Sequence, residues 1–152
     1  MTDESEPDGA SLVDFNATGD VLADAVASAL PGWVARSLRT RAAFSDAAVA
    51  EVTRAVLDTV MPPLRELVAS DVDLQRTTPL TIVRLAVGPI GDALRQAGAA
   101  TASRDRYDAQ AFPDDLYALT PHGWVEISDA LTEPALRWGV AKAFEHRRRH
   151  RT

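Results

Sequence analysis

The hydrophobic positions of this chain fall into four runs that repeat every three or four residues, each cut or closed by proline or glycine. In the first, Val21, Leu22, Ala25, Val26 and Ala29 keep helical spacing behind a cap at Thr18 or Asp20. Pro31-Gly32 interrupts that run, and Trp33, Val34 and Leu38 resume it to about Arg41, which predicts a corner or a kink. Ser45 caps the second run, where Val49, Val52, Val56 and Val60 share one face. Pro62-Pro63 ends or bends it, Leu64, Leu67 and Val68 add a further turn or two, and the polar residues 70–78 form a loop. The third run opens on Thr78-Pro79, a capping hydroxyl followed by proline at the first helical position. Its β-branched start from Thr81 to Val87 would suit a strand, but the stripe of Ile82, Val83, Ala86, Val87, Ile90 and Leu94 favours a helix closed by Gly98. Gly88-Pro89 falls mid-run, and an interior proline costs roughly 3 kcal/mol unless a kink accommodates it, so a bent helix or two short ones is expected. The last run starts at Thr132-Glu133-Pro134, with Leu136, Val140 and Phe144 as its inward face, Ala143 alongside and Trp138 beside it.

Residues 99–131 break the pattern. They hold Tyr107, Phe112, Tyr117 and Trp124 among many polar groups, and loops of this length in a compact domain often carry function. Phe112-Pro113-Asp114-Asp115 reads as the start of a short helix, and Thr120-Pro121 repeats the signal. The whole predicts an all-α fold: an irregular bundle of five or six helices with proline kinks and a long ordered loop before the last helix. The division expected is an acidic, disordered tail over 1–17, a single helical domain over 18–146 and a basic C-terminal tail over 147–152. Leu12, Val13 and Phe15 form a short apolar hook within the first tail.

Composition strengthens the helical reading, because 27 of the 152 residues are alanine. The absence of cysteine removes disulfides, thiolate metal sites and cysteine nucleophiles. The N-terminus lacks the basic and apolar blocks of a secretory signal, and no uncharged stretch approaches a membrane span, so a cytoplasmic location and no membrane partner are expected. The net charge of −6 hides an asymmetry: residues 1–35 carry seven acids and no Lys or Arg, whereas 137–151 carry six bases against Glu145.

The candidate chemistry lies in the long loop. Arg104, Asp105, Tyr107, Asp114, Asp115, Tyr117, His122, Trp124 and Glu126 supply acids, a base and oxygen ligands, and with Gly88 they form the candidate ligand or partner site. Their spacing matches no metalloprotease helix, calcium loop, nucleophile elbow or phosphate-binding loop. His122 is the one histidine outside the C-terminal tail and has no partner in sequence. No catalytic residue, metal ligand or cofactor is therefore assigned. At the other end, Arg147, Arg148, Arg149 and Arg151 suit phosphate contact by counterion release. Without aromatic residues among them, any nucleic-acid binding would be non-specific, and pairing with the acidic tail of this or a neighbouring copy is an alternative.

Three segments, residues 78–87 (TPLTIVRLAV), 112–117 (FPDDLY) and 136–143 (LRWGVAKA), resemble small proteins of unknown function from high-GC actinobacteria. The resemblance covers about half the chain and brings no activity or catalytic residue with it, although 15 arginines among 16 basic residues agree with that source. The expected function is a non-enzymatic interaction or regulatory protein that binds a protein partner or itself. The alternative is a small enzyme or ligand-binding protein whose polar site lies where the 104–126 loop meets the Gly88-Pro89 bend.

Overall fold

The computed structural model describes residues 14–70, 78–121 and 123–150. Along them run α1 (Phe15–Arg41), α2 (Asp46–Ser70), α3 (Pro79–Val83), a 3-10 turn (Arg84–Ala86) and α4 (Val87–Gln96). After these come α5 (Arg106–Ala111), α6 (Trp124–Ile127), a second 3-10 turn (Asp129–Leu131) and α7 (Thr132–Arg149). There is no strand among the described residues, so the chain is an all-α bundle and the β-branched segment before Leu94 is wound, as its stripe predicts.

α1 is the axis of the bundle. It packs against α2 along its length, against α7 on another side, and touches α4, α6 and the 129–131 turn. Leu22, Val26, Leu30, Val34 and Leu38 recur at steps of three and four and are fully buried. The helix starts at Phe15, five residues before the expected Asp20, because Asp14 caps it: its carboxylate accepts from the Asn16 and Ala17 amides at 2.9 and 3.2 Å. The Thr18 hydroxyl turns back to donate to the Asp14 carbonyl, and Phe15 is buried with its ring centroid 6.0 Å from that of Trp138. Residues 14–17 thus belong to the folded domain, while Leu12, Val13 and the rest of the acidic tail lie outside the described residues.

Neither proline interruption breaks its helix. Pro31 sits inside α1, and Pro62 and Pro63 sit inside α2. A helix-interior proline costs about 3 kcal/mol, but each fully buried aliphatic side chain contributes roughly 1.5–3 kcal/mol. Leu30 and Val34 flank Pro31, and Val60 and Leu64 flank the proline pair, all fully buried on one core. Continuity of the helix is what lets both members of each pair reach it. The Asp58 and Thr59 carbonyls that lose their donors belong to exposed residues, away from the buried face, where an unmade helical bond costs least.

The third run resolves into short pieces. Pro79 opens α3 beneath Thr78, whose hydroxyl accepts from the Thr81 amide at 3.2 Å. Pro89 falls in the first turn of α4, where an amide would lack an intrahelical partner anyway. Gly98 ends α4 at φ +74°, with the Gly98 amide on the Arg95 carbonyl and the Ala99 amide on the Leu94 carbonyl, a Schellman closure. The loop expected over 70–78 lies mostly outside the described residues, its first and last members being the end of α2 and the cap of α3.

The inward face assigned to the last helix is reversed. Leu136, Val140 and Phe144 are 66%, 51% and 48% exposed, whereas Trp138 and Ala141 are buried. At about 100° per residue, Trp138 lies on the side of the helix opposite Leu136 and Val140. With apolar residues on both sides, periodicity has no preference, and the largest side chain decides. Trp138 buries the most surface, and its indole N–H donates at 3.2 Å to the Val68 carbonyl in the last described turn of α2. α7 also continues to Arg149, so the residues assigned to a basic tail from 147 onward begin as its last turn.

The same carbonyl limits how close α1 comes. A Cβ at Gly19 would lie 2.8 Å from the Val68 oxygen and 3.3 Å from the Val68 side chain. Replacing Gly19 with alanine should destabilise the fold by up to ~2 kcal/mol in chemical denaturation, since overpacking costs ~1–3 kcal/mol against a helix-propensity gain of about 1 kcal/mol. Gly32→Ala on the same helix, where an added Cβ meets open space, should leave stability unchanged or raise it. Equal effects at the two positions would refute the close approach.

Candidate functional site

A groove of about 450 Å³ lies where the α3–α4 segment faces the 111–115 loop, lined by Arg84, Gly88, Gly91, Arg95, Phe112 and Asp114 among others. This is the place proposed from sequence, at the bend carrying Gly88. Residues 84, 88, 91 and 95 are a helical stripe, so two arginines flank a floor of two glycines. That spacing is legible in the sequence, yet Arg84, Arg95 and Phe112 are absent from the candidates read there. The Arg84 guanidinium lies over the Phe112 ring at 4.9 Å and donates to the Pro121 carbonyl at 3.4 Å, and Arg95 pairs with Asp92 at 2.9 Å.

Asp115 builds the loop wall. It is buried, and its carboxylate accepts from the Leu119 amide at 2.8 Å, the Thr120 amide at 2.7 Å and the Thr120 hydroxyl at 2.6 Å. These bonds hold Ala118 at φ 53°, the one non-glycine residue with positive φ among those described. Residues 112–121 consequently form turns, and the short helix expected from Phe112-Pro113-Asp114-Asp115 does not form. Asp115 spends its oxygens on a turn five residues ahead, which satisfies its charge better than an exposed helix start would. The helix instead precedes it: Asp105 caps α5 by accepting from the Asp108 amide at 2.7 Å. The Thr120-Pro121 signal likewise gives no helix at Pro121, and α6 begins at Trp124.

The sequence candidates are dispersed. Gly88, Asp114 and Asp115 line the groove. Arg104 supports the wall from behind, donating to the Phe112 carbonyl at 2.6 Å. Tyr117 is a buried core residue, Trp124 packs half-buried against the core, and Tyr107 is exposed. Glu126 lines a separate shallow depression with Trp33 and Arg36, and His122 lies outside the described residues. No group of three metal-ligating side chains occurs among the described residues. The carboxylate most enclosed in the groove, Asp115, is committed to the Leu119 and Thr120 donors.

The second feature is the outward side of α7. Leu136, Val140 and Phe144 follow one another at four-residue steps on it, with Ala143 exposed beside them. Glu133, at the start of this face, is paired with Arg137 at 2.7 Å. At its end Arg147 lies over the Phe144 ring at 4.9 Å. Behind it, Glu145 holds Arg148 and Arg149, and hydrogen bonds from both guanidiniums keep the Glu145 carboxyl below the usual carboxylate range. Arg151 lies outside the described residues. No helix among the described residues is long and apolar enough to cross a membrane.

Comparison with known proteins gave no match: no family model, no curated protein and no solved structure aligns with this chain.

Asp115→Asn sets an amide donor against one of three donors now accepted by the carboxylate, which should cost roughly 1–3 kcal/mol. Hydrogen exchange at the Leu119 and Thr120 amides is the readout, and unchanged protection there would show that the turn does not depend on the carboxylate.

Proposed function

We propose that this chain is a non-enzymatic interaction protein that docks a partner helix on the outer face of α7. The carrying observation is that an amphipathic helix already anchored by Trp138 and Ala141 turns a second apolar stripe to solvent, with an acidic start and a basic end. A helix apolar on two opposite sides is ordinarily covered on both. Contiguous exposed apolar surface framed by charge marks interaction sites, whereas isolated exposed residues do not. The stripe is straight and spans about 12 Å at 1.5 Å per residue, which suits helix-against-helix packing through anchors at i, i+4 and i+8. A photo-reactive amino acid at position 140, in cells producing the full chain, should yield a discrete covalent adduct. That adduct should vanish with Leu136→Ser and Phe144→Ser, and a probe at the exposed Asp58 should give none. Equal labelling at 140 and 58 would reject the docking face.

A second reading, ligand binding in the groove beside Gly88, is favoured by its volume, which lies within the usual 300–1,000 Å³ of small-molecule sites. Titration of small-molecule fragments should then shift the Gly88 and Gly91 amide resonances selectively, and uniform or absent shifts would dismiss it.

A further inference from the structure

Resting on the docking reading, we infer that the helix which covers the outer face of α7 is α7 of a second copy of this chain, packed antiparallel about a two-fold axis through Val140. In such a pair, positions whose numbers are equally displaced from 140 face each other. Leu136 meets Phe144 of the second copy, Val140 meets its own equivalent, and Glu133 meets Arg147 of the second copy. Apolar residues thus oppose apolar residues along the exposed stripe, and the one carboxylate on this face opposes a guanidinium. The charges of the element fix the direction. Glu133 lies in its first turn, with Asp129 in the 3-10 turn just before it, and Arg147, Arg148 and Arg149 lie at its end. Parallel pairing would lay three arginines against three arginines, and antiparallel pairing sets each basic end against an acidic start.

A two-fold interface is self-complementary by construction, so a surface that meets its own copy must carry both members of every pair. The α7 face does: a small centre, one bulky residue on each side and opposite charges beyond. Self-pairing also accounts for an apolar seam confined to one helix. An 18-residue helix is about 27 Å long, and a face of that length buries less than the roughly 800 Å² per partner of a standard stable interface. The association should accordingly be weak, with a dissociation constant in the micromolar range.

Analytical ultracentrifugation of the full chain over low to high micromolar concentration tests this. Concentration-dependent dimerisation is expected, weakened at least tenfold by Val140→Glu, with the circular dichroism of that surface variant unchanged. Glu133→Arg and Arg147→Glu should each weaken dimerisation, while an equimolar mixture of the two variants should restore it, because each then finds an opposite charge at both ends of the antiparallel pair. The weakening by each single variant marks the antiparallel register: a parallel pair already sets like charges together at 133 and at 147, and neither substitution changes that. A chain monomeric throughout, a dimer indifferent to Val140→Glu, or a mixture no tighter than either variant would each overturn the inference. If Leu12→Ser with Val13→Ser turns a monomeric full chain into a dimer, the face belongs to the N-terminal segment instead. A cellular adduct at position 140 whose mass shows a different protein, together with a monomeric purified chain, would retain the docking face and reject the second copy.

Discussion

A single backbone oxygen sets the distances among the three long helices. The Val68 carbonyl lies in the last described turn of α2, and it accepts the Trp138 indole N–H of α7. On its other side α1 comes so near that only hydrogen fits at Gly19. Phe15, at the start of α1, packs beside the Trp138 ring. α7 must therefore present its tryptophan inward, and every other side chain on that helix takes the orientation this leaves. The exposed stripe is thus an outcome of where one indole finds its acceptor.

How much of this was readable depended on whether a decision was local. Caps were legible where a hydroxyl and a proline stand together, as at Thr78-Pro79, or where glycine follows the stripe, as at Gly98. The buried valines of α2 follow from spacing alone, and so does most of the aliphatic ladder of α1, although Val21, read onto that stripe, is 55% exposed and Leu30, absent from it, is fully buried. Three decisions were not local. Asp14 replaced Asp20 as the cap because Phe15 has a tryptophan to meet more than one hundred residues away. Asp115 declined a helix start because a turn offered three donors at once. α7 could face either way, and a tertiary hydrogen bond chose.

The candidate site divides along the same line. The meeting of the Gly88 bend with the Asp114 loop was foreseen, since glycines at 88 and 91 leave room for another segment to approach. The dispersal of the polar loop was not, because composition does not say which carboxylates will be consumed as internal braces. Asp105 caps a helix, Asp115 holds a turn, and Arg104 ties back to the Phe112 carbonyl. Much of what resembles reactive equipment in the loop is scaffolding for a segment with little apolar surface of its own to hold it together.

The prolines inside α1 and α2 bear on how the chain acquires its shape. A helix nucleates poorly and gains from each successive bond, and three missing donors in the middle of two long helices deprive each of that gain where it matters most. Excised as peptides, these segments would be broken rods. They become continuous only when Leu30, Val34, Val60 and Leu64 are pressed into a shared interior. The two longest rods of this domain thus owe their unbroken length to the interior they share more than to any preference of their own segments.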